Sequence, residues 1–132
     1  MTNIMVVDDE PHVVRLLNMS LKRAGYGVIT ARDGREALEK IRAQRPDVLL
    51  TDIEMGGMSG IELCRKIDEE MPDRAFAIYI MTSRAEQDYR DWYDNMRNIH
   101  FLEKPLSTRQ LVASIEAHRD AAEGIKRTGQ EK

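Results

Sequence analysis

Short apolar runs rich in β-branched residues alternate five times with longer amphipathic stretches along this sequence. The runs are Ile4 to Val7, Val28 to Ala31, Val48 to Thr51, Phe76 to Thr82 and Ile99 to Glu103. Between and after them come Val13 to Ala24, Ala37 to Ala43, Ile61 to Met71, Ala85 to Arg97 and Leu111 to Ala122. Val48-Leu49-Leu50 is apolar at consecutive positions, so that strand needs cover on both faces. Parallel strands joined by right-handed helical crossovers meet that demand. The expected fold is α/β: a single doubly wound five-stranded parallel sheet with five helices on its two faces. The flavodoxin-like strand order 2-1-3-4-5 is favoured, although periodicity alone does not separate it from other doubly wound orders.

Helix starts are marked by capping pairs. Asp33 and Glu36, Ser59 and Glu62, Ser83 and Glu86, and Ser107 and Gln110 each set a capping side chain three residues before Glu or Gln. Pro11 suits the first turn of the first helix, and Gly25 suits its end, where a residue without Cβ can turn left-handed. Val13, Leu17, Leu21 and Ala24 then share one face, as a helix covering a sheet requires.

A chain of 132 residues with 42% hydrophobic content is one domain with enough material for a core. Twenty lysines and arginines against 23 aspartates and glutamates leave a net charge of −3, which offers no generic attraction to nucleic acid. The single cysteine, Cys64, cannot form an internal disulfide and reads as a small buried hydrophobe. No basic, apolar leader and no apolar run near the ~20 residues of a membrane span is present, so a cytoplasmic location is expected. The domain is expected over 1–119, with 120–132 a charged, frayed tail.

The unusual polar residues gather at strand ends. Asp8 and Asp9 follow the first strand, Asp52 the third and Lys104 the fifth, while Thr82 ends the fourth. In a parallel sheet these carboxyl ends share one edge, where α/β proteins bind ligands. Three carboxylates brought together repel one another unless a cation intervenes. Oxygen donors without His or Cys suit a hard ion that keeps its waters, so Mg²⁺ is expected, with Mn²⁺ able to substitute. Asp52 could then act as a nucleophile towards phosphorus, with the Lys104 ammonium and the Thr82 hydroxyl meeting phosphoryl oxygens.

The ordered set Asp8-Asp9, Asp52-Ile-Glu-Met55 with Met58 and Gly60, Thr82-Ser83, and Lys104-Pro105 resembles the receiver domain of two-component response regulators, from about Asn3 to Arg119. The resemblance implies that Asp52 accepts phosphate from a histidine kinase or phosphotransfer protein. It also implies a Mg²⁺ site made by Asp9, Asp52 and the Glu54 backbone carbonyl, with Asp8 acting partly through water. Thr82 would move towards the phosphoryl group and Phe101 would turn inward. Those movements would reshape a protein-binding face of helix four, strand five and helix five, through which a downstream protein or a phosphorylation-dependent dimer partner could dock. Lys104-Pro105 resembles the family's cis peptide. The few residues after helix five suggest a receiver with no effector attached, though one excised from a longer regulator or hybrid kinase would look the same.

Some features depart from the family pattern. Gly56 stands where receivers usually carry proline, so Gly56-Gly57 should leave the loop freer. Arg97-Asn98-Ile99-His100 replaces a small Gly-Ala segment, and the resemblance implies that Glu54 and Arg84 occupy positions that tune phosphoryl lifetime. Tyr89, Trp92, Tyr93 and Met96 form a stripe that suits either core packing or a partner site. His12, His100 and His118 show no ligand spacing. An aspartyl-phosphate hydrolase would carry its nucleophile after the first strand in an Asp-x-Asp arrangement, and a flavin or nucleotide carrier would need a phosphate loop there. Asp8-Asp9-Glu10-Pro11 suits neither.

Overall fold

The computed structural model describes residues 2–82, 98–104 and 107–117. Five strands, β1 (Asn3–Val7), β2 (Gly27–Ala31), β3 (Val48–Asp52), β4 (Ala77–Thr82) and β5 (Ile99–Glu103), form one sheet. Helices α1 (Pro11–Arg23), α2 (Gly34–Ala43) and α3 (Gly60–Glu70) follow the first three strands, and a C-terminal helical segment occupies 108–117. The helix expected over 85–97, with its aromatic stripe, lies outside the described residues, as do Arg84, Pro105, His118 and the tail over 120–132.

Every neighbouring pair of strands is parallel, and the order is β2-β1-β3-β4-β5, as expected. The consecutive apolar residues divide between two layers because strand side chains alternate. Met5, Val7, Leu49, Ile78 and Ile80 pack with Ala37, Leu38 and Ile41 of α2 and Leu63, Cys64 and Ile67 of α3. Ile4, Val6, Val48, Leu50, Tyr79 and Met81 pack instead with Leu17 and Leu21 of α1 and with Leu111 and Ile115. Burial of one such large aliphatic side chain contributes about 1.5–3 kcal/mol, so filling both layers is what holds the sheet between them. Cys64 is fully buried, and that burial pushes its thiol up to about 12.

The described caps form as the sequence predicts. Asp33, Ser59 and Ser107 accept from the N–H groups of Glu36, Glu62 and Gln110 at 2.9, 3.2 and 3.3 Å. Pro11 opens α1, and Gly25, at φ +97°, closes it. Ala24 departs from the expected apolar face: it is exposed, because it is the residue that caps α1, beyond the last turn resting on the sheet. Asn98, before β5, takes φ +56°, a left-handed conformation that asparagine tolerates better than most residues. The sequence reading gave Arg74 no role, yet it is buried at the turn before β4. There its Nη1 donates to the Phe76 carbonyl at 3.1 Å.

Candidate functional site

Strand register places the polar residues. Val7 pairs with Thr51, so Asp8 and Asp52 are the next residues on adjacent strands and sit level at the carboxyl edge. Asp52 in turn pairs with Met81, which sets Thr82 one step further along, and Thr82 pairs with Glu103, which sets Lys104 one step beyond that. From Asp52 the positions therefore climb like a stair across β3, β4 and β5, with Asp8 level with the lowest step. Lys104 is tied to the step below it, its N–H donating to the Thr82 carbonyl at 2.9 Å. Asp8, Asp52 and Thr82 are all buried.

Close packing behind β3 fixes the height of Asp52. The Gly60 N–H donates to the Ile53 carbonyl at 3.0 Å. A Cβ on Gly60 would run into the Asp52 carbonyl oxygen and lie 2.9 Å from Ile53 Cα, so only glycine lets α3 start this close to the strand. At Gly34 a Cβ would lie 2.8 Å from Met58 Cγ, which seats the β3–α3 loop on the first turn of α2.

The charged groups form two adjoining units. Lys104 Nζ lies 2.9 Å from Asp52 Oδ1. Burial acts to lower the Lys104 pKa, but the hydrogen bond and charge of Asp52, joined by Asp8 and Glu10, outweigh it and the net movement is upward. Beside this pair, Asp8, Asp9 and Glu10 can each present an oxygen within 4.8 Å of the others. Asp8 Oδ1 accepts from the Glu10 N–H at 2.9 Å, while its buried Oδ2 meets no hydrogen-bond partner among the described residues. Burial raises the Asp8 pKa, the Glu10 N–H partly offsets this, and the nearby Asp52 charge raises it further. Asp9, on the exposed side, accepts from the Gly56 N–H at 3.4 Å.

These groups fit a hard divalent cation. The donors are all oxygen, the acidic charge is concentrated, and one buried carboxylate oxygen has no partner among the described residues. Asp8 and Asp9 also line an open cavity of about 370 Å³, so water and ions can reach them. Of the expected ligands Asp8, Asp9, Asp52 and the Glu54 backbone carbonyl, Asp8 and Asp9 fall in this cluster. Asp52 lies beside it with Oδ1 paired to Lys104, and Glu10 brings a third carboxylate to Asp8 and Asp9. Sequence reasoning passed over Glu10, and its direct adjacency to the acidic pair was the available signal. Phe101 is partly buried, pairing with Ile80 and packing against the α2 and α3 layer. His12 is exposed, with Nε2 3.4 Å from Glu10 Oε2, and His100 stacks near Tyr79 with ring centroids 4.9 Å apart.

Comparison with known proteins agrees with this geometry. The family described as the response regulator receiver domain matches residues 4–116. The alkaline phosphatase synthesis transcriptional regulatory protein PhoP of Bacillus subtilis is 34% identical over 119 residues, which cover 86% of this chain and 47% of PhoP. The chain thus spans about half the length of that curated relative. Among solved structures, chemotaxis protein CheY4 of Vibrio cholerae superposes with a TM-score of 0.81 at 27% identity, covering 89% of this chain and 98% of that one. Response regulator protein TrrA of Thermotoga maritima, solved in complex with Mg²⁺-BeF, gives a TM-score of 0.76 at 32% identity with the same coverage of 89% and 98%. With its sheet order, its stair of polar residues and the family match over most of its length, this chain belongs to the response regulator receiver domains of two-component systems.

Proposed function

We propose that this chain is a phosphoacceptor: Asp52 takes a phosphoryl group from the phosphohistidine of a histidine kinase or phosphotransfer protein, in a Mg²⁺-dependent reaction. The observation that carries the reading is the 2.9 Å contact of Lys104 Nζ with Asp52 Oδ1 at the carboxyl edge of the sheet. One carboxylate oxygen is thereby oriented by a cation that can later serve the incoming phosphoryl group. Asp8, Asp9, Asp52 and the Glu54 carbonyl would hold the ion, with Glu10 close enough to join them. When bound, Mg²⁺ supplies charge neutralisation for phosphoryl oxygens, and Mn²⁺ could replace it.

In the transfer, an Asp52 oxygen forms a bond to phosphorus while the phosphorus–nitrogen bond breaks, and the imidazole leaves with the electron pair. Lys104 moves its ammonium onto a phosphoryl oxygen, and the Thr82 hydroxyl donates to another. A charge pair near 4 Å at an effective dielectric of 20 is worth about 4 kcal/mol before desolvation, and inverting a 1:99 equilibrium takes about 5.5 kcal/mol. Lysine alone falls short, so threonine and cation must add to it. Movement of Thr82 with inward rotation of Phe101 then alters the face of helix four, strand five and helix five. That change would select a downstream protein or a second copy of the chain. On this reading the chain is a signalling domain that assists its own phosphorylation and dephosphorylation, and we place it in the cytoplasm with its kinase.

Incubation with Mg²⁺ and a small acyl phosphate, followed by intact-mass measurement, tests the proposal. One added phosphoryl group is expected, absent in Asp52→Asn and absent without metal. An unmodified wild-type chain, under conditions that label a known receiver, would overturn it.

A further inference from the structure

Thr51 puts a hydroxyl where the packing asks for a hydrocarbon. It is fully buried in β3, between Val7 of β1 and Ile80 of β4, both members of the α2 and α3 core layer. Valine has the same shape and suits that row better, and a buried hydroxyl costs stability unless it is hydrogen-bonded. Thr51 Oγ1 finds its bond on the Asp52 backbone carbonyl, to which it donates at 2.9 Å. The residue it touches is the one at the centre of the site.

That carbonyl begins a held stretch of backbone. Gly60 closes on it from the α3 side, where a Cβ would collide with the same oxygen. The other half of the Asp52–Ile53 peptide is also fixed, because the Ile53 N–H donates to the Met81 carbonyl at 3.2 Å. The next peptide follows, with the Ile53 carbonyl accepting from the Gly60 N–H at 3.0 Å. Thr51 supplies the side-chain member of this set. The Asp52 side chain leaves the backbone at the Cα between strand and peptide, so fixing both fixes the direction in which the carboxylate projects.

We propose that Thr51 is a positioning residue for Asp52, its hydroxyl steadying the Asp52–Ile53 peptide so that the carboxylate projects at the angle needed to attack phosphorus. The inference rests on the reading of Asp52 as the phosphoacceptor given above. A nucleophile held in one direction is more often in line with the bond to be broken, and the rate rises accordingly. Lys104 orients Oδ1 from the charged end, and Thr51 steadies the same residue from its backbone end.

The test uses the full chain with acetyl phosphate and saturating Mg²⁺, read as the initial rate of phosphoryl gain per folded molecule by intact mass. Thermal unfolding and the NMR shift of the Asp52 carbonyl carbon are recorded beside it in metal-free protein. Thr51→Val, which keeps the shape and deletes the hydroxyl, should react roughly threefold to tenfold more slowly, the rate equivalent of one hydrogen bond's net worth. Its Asp52 carbonyl shift should move. Thr51→Ser, which keeps the hydroxyl and loses a buried methyl, should melt lower than wild type yet retain the wild-type rate and carbonyl shift. Thr51→Ala, a second hydroxyl-free chain, should be as slow as valine whatever its Tm, and it carries the comparison if the valine variant does not fold. Rates that follow Tm instead, with serine slow and valine like wild type, overturn the proposal, as does an Asp52 carbonyl indifferent to loss of the hydroxyl. A wild-type chain that gains no phosphoryl group overturns the phosphoacceptor reading itself and the positioning role with it.

Discussion

The two edges of the sheet treat charge in opposite ways. Near the amino edge, where α2 and α3 end, Arg42 grips Glu70 with two hydrogen bonds of 2.7 and 2.6 Å, and Arg45 meets Asp73 at 3.4 Å. All of these groups stand in or near solvent, so the pairs cost little to form and contribute little. At the carboxyl edge, Asp8 and Asp52 are buried, Lys104 pairs with Asp52, and an Asp8 oxygen has no hydrogen-bond partner among the described residues. A buried charge is expensive unless matched, so that edge carries an electrostatic debt that an arriving cation can relieve. Exposed, paired charges at one end ask little of the fold, and under-paired buried charges prepare the other end for ligands.

Removing Lys104 should break this contrast most severely. Lys104→Ala leaves two buried carboxylates without their cation, and a loss of about 2–3 kcal/mol in urea unfolding at neutral pH is expected, since Lys104 is itself partly exposed. The sign follows from its raised pKa: the stabilisation is fully present below the ordinary lysine value of 10.5 and is lost as pH rises through the higher folded value. Wild type should therefore converge on Lys104→Ala in strongly alkaline solution. Unchanged stability of the variant at pH 7 would show that the edge does not depend on this ammonium.

Asp8→Asn should act in the opposite direction and by less. Relieving an unpartnered buried acceptor is expected to stabilise the metal-free chain by about 1–2 kcal/mol. Because the folded pKa of Asp8 is raised, its ionisation costs stability as pH climbs past 3.8. The advantage of asparagine should accordingly shrink in acid below that value and be full at neutral pH. Mg²⁺ should raise the Tm of wild type but not of this variant, measured by thermal unfolding in matched salt. A destabilised Asp8→Asn chain would remove the idea of an under-paired edge. Arg42→Ala, at the opposite edge, should give the smallest effect, a slight fall in Tm that disappears in high salt.

Legibility in the sequence followed the range of the interaction. Local rules read well: Asp33, Ser59 and Ser107 cap where their spacing says, and Gly25 turns left-handed where α1 must stop. Ala24 misled because helical spacing carries no information about where the helix leaves the sheet. The α/β class was legible in consecutive apolar residues such as Val48-Leu49-Leu50, but the strand order needed more than periodicity, because every doubly wound order asks the same of its strands. Strand ends brought Asp8, Asp52, Thr82 and Lys104 to one edge before any coordinates. The partition of that edge into a Lys104–Asp52 pair and an acidic triad with Glu10 depends on side-chain reach, which residue order does not encode. The Gly56 contact was equally invisible, since it is made by a backbone atom.

The division of β3 between two core layers also governs how this chain can vary in length. Deleting one residue between Val48 and Asp52 would send Leu49 and Leu50 each to the wrong layer, even though every amino acid kept its character. Asp52 would be dragged below the level of Asp8, or the strand would slip to restore it and forfeit the core. The β3–α3 loop keeps the same count, because Gly60 closes on the Ile53 carbonyl at 3.0 Å and Met58 is seated against Gly34. Insertions and deletions that divide receiver relatives should therefore be sparse from Val48 to Gly60.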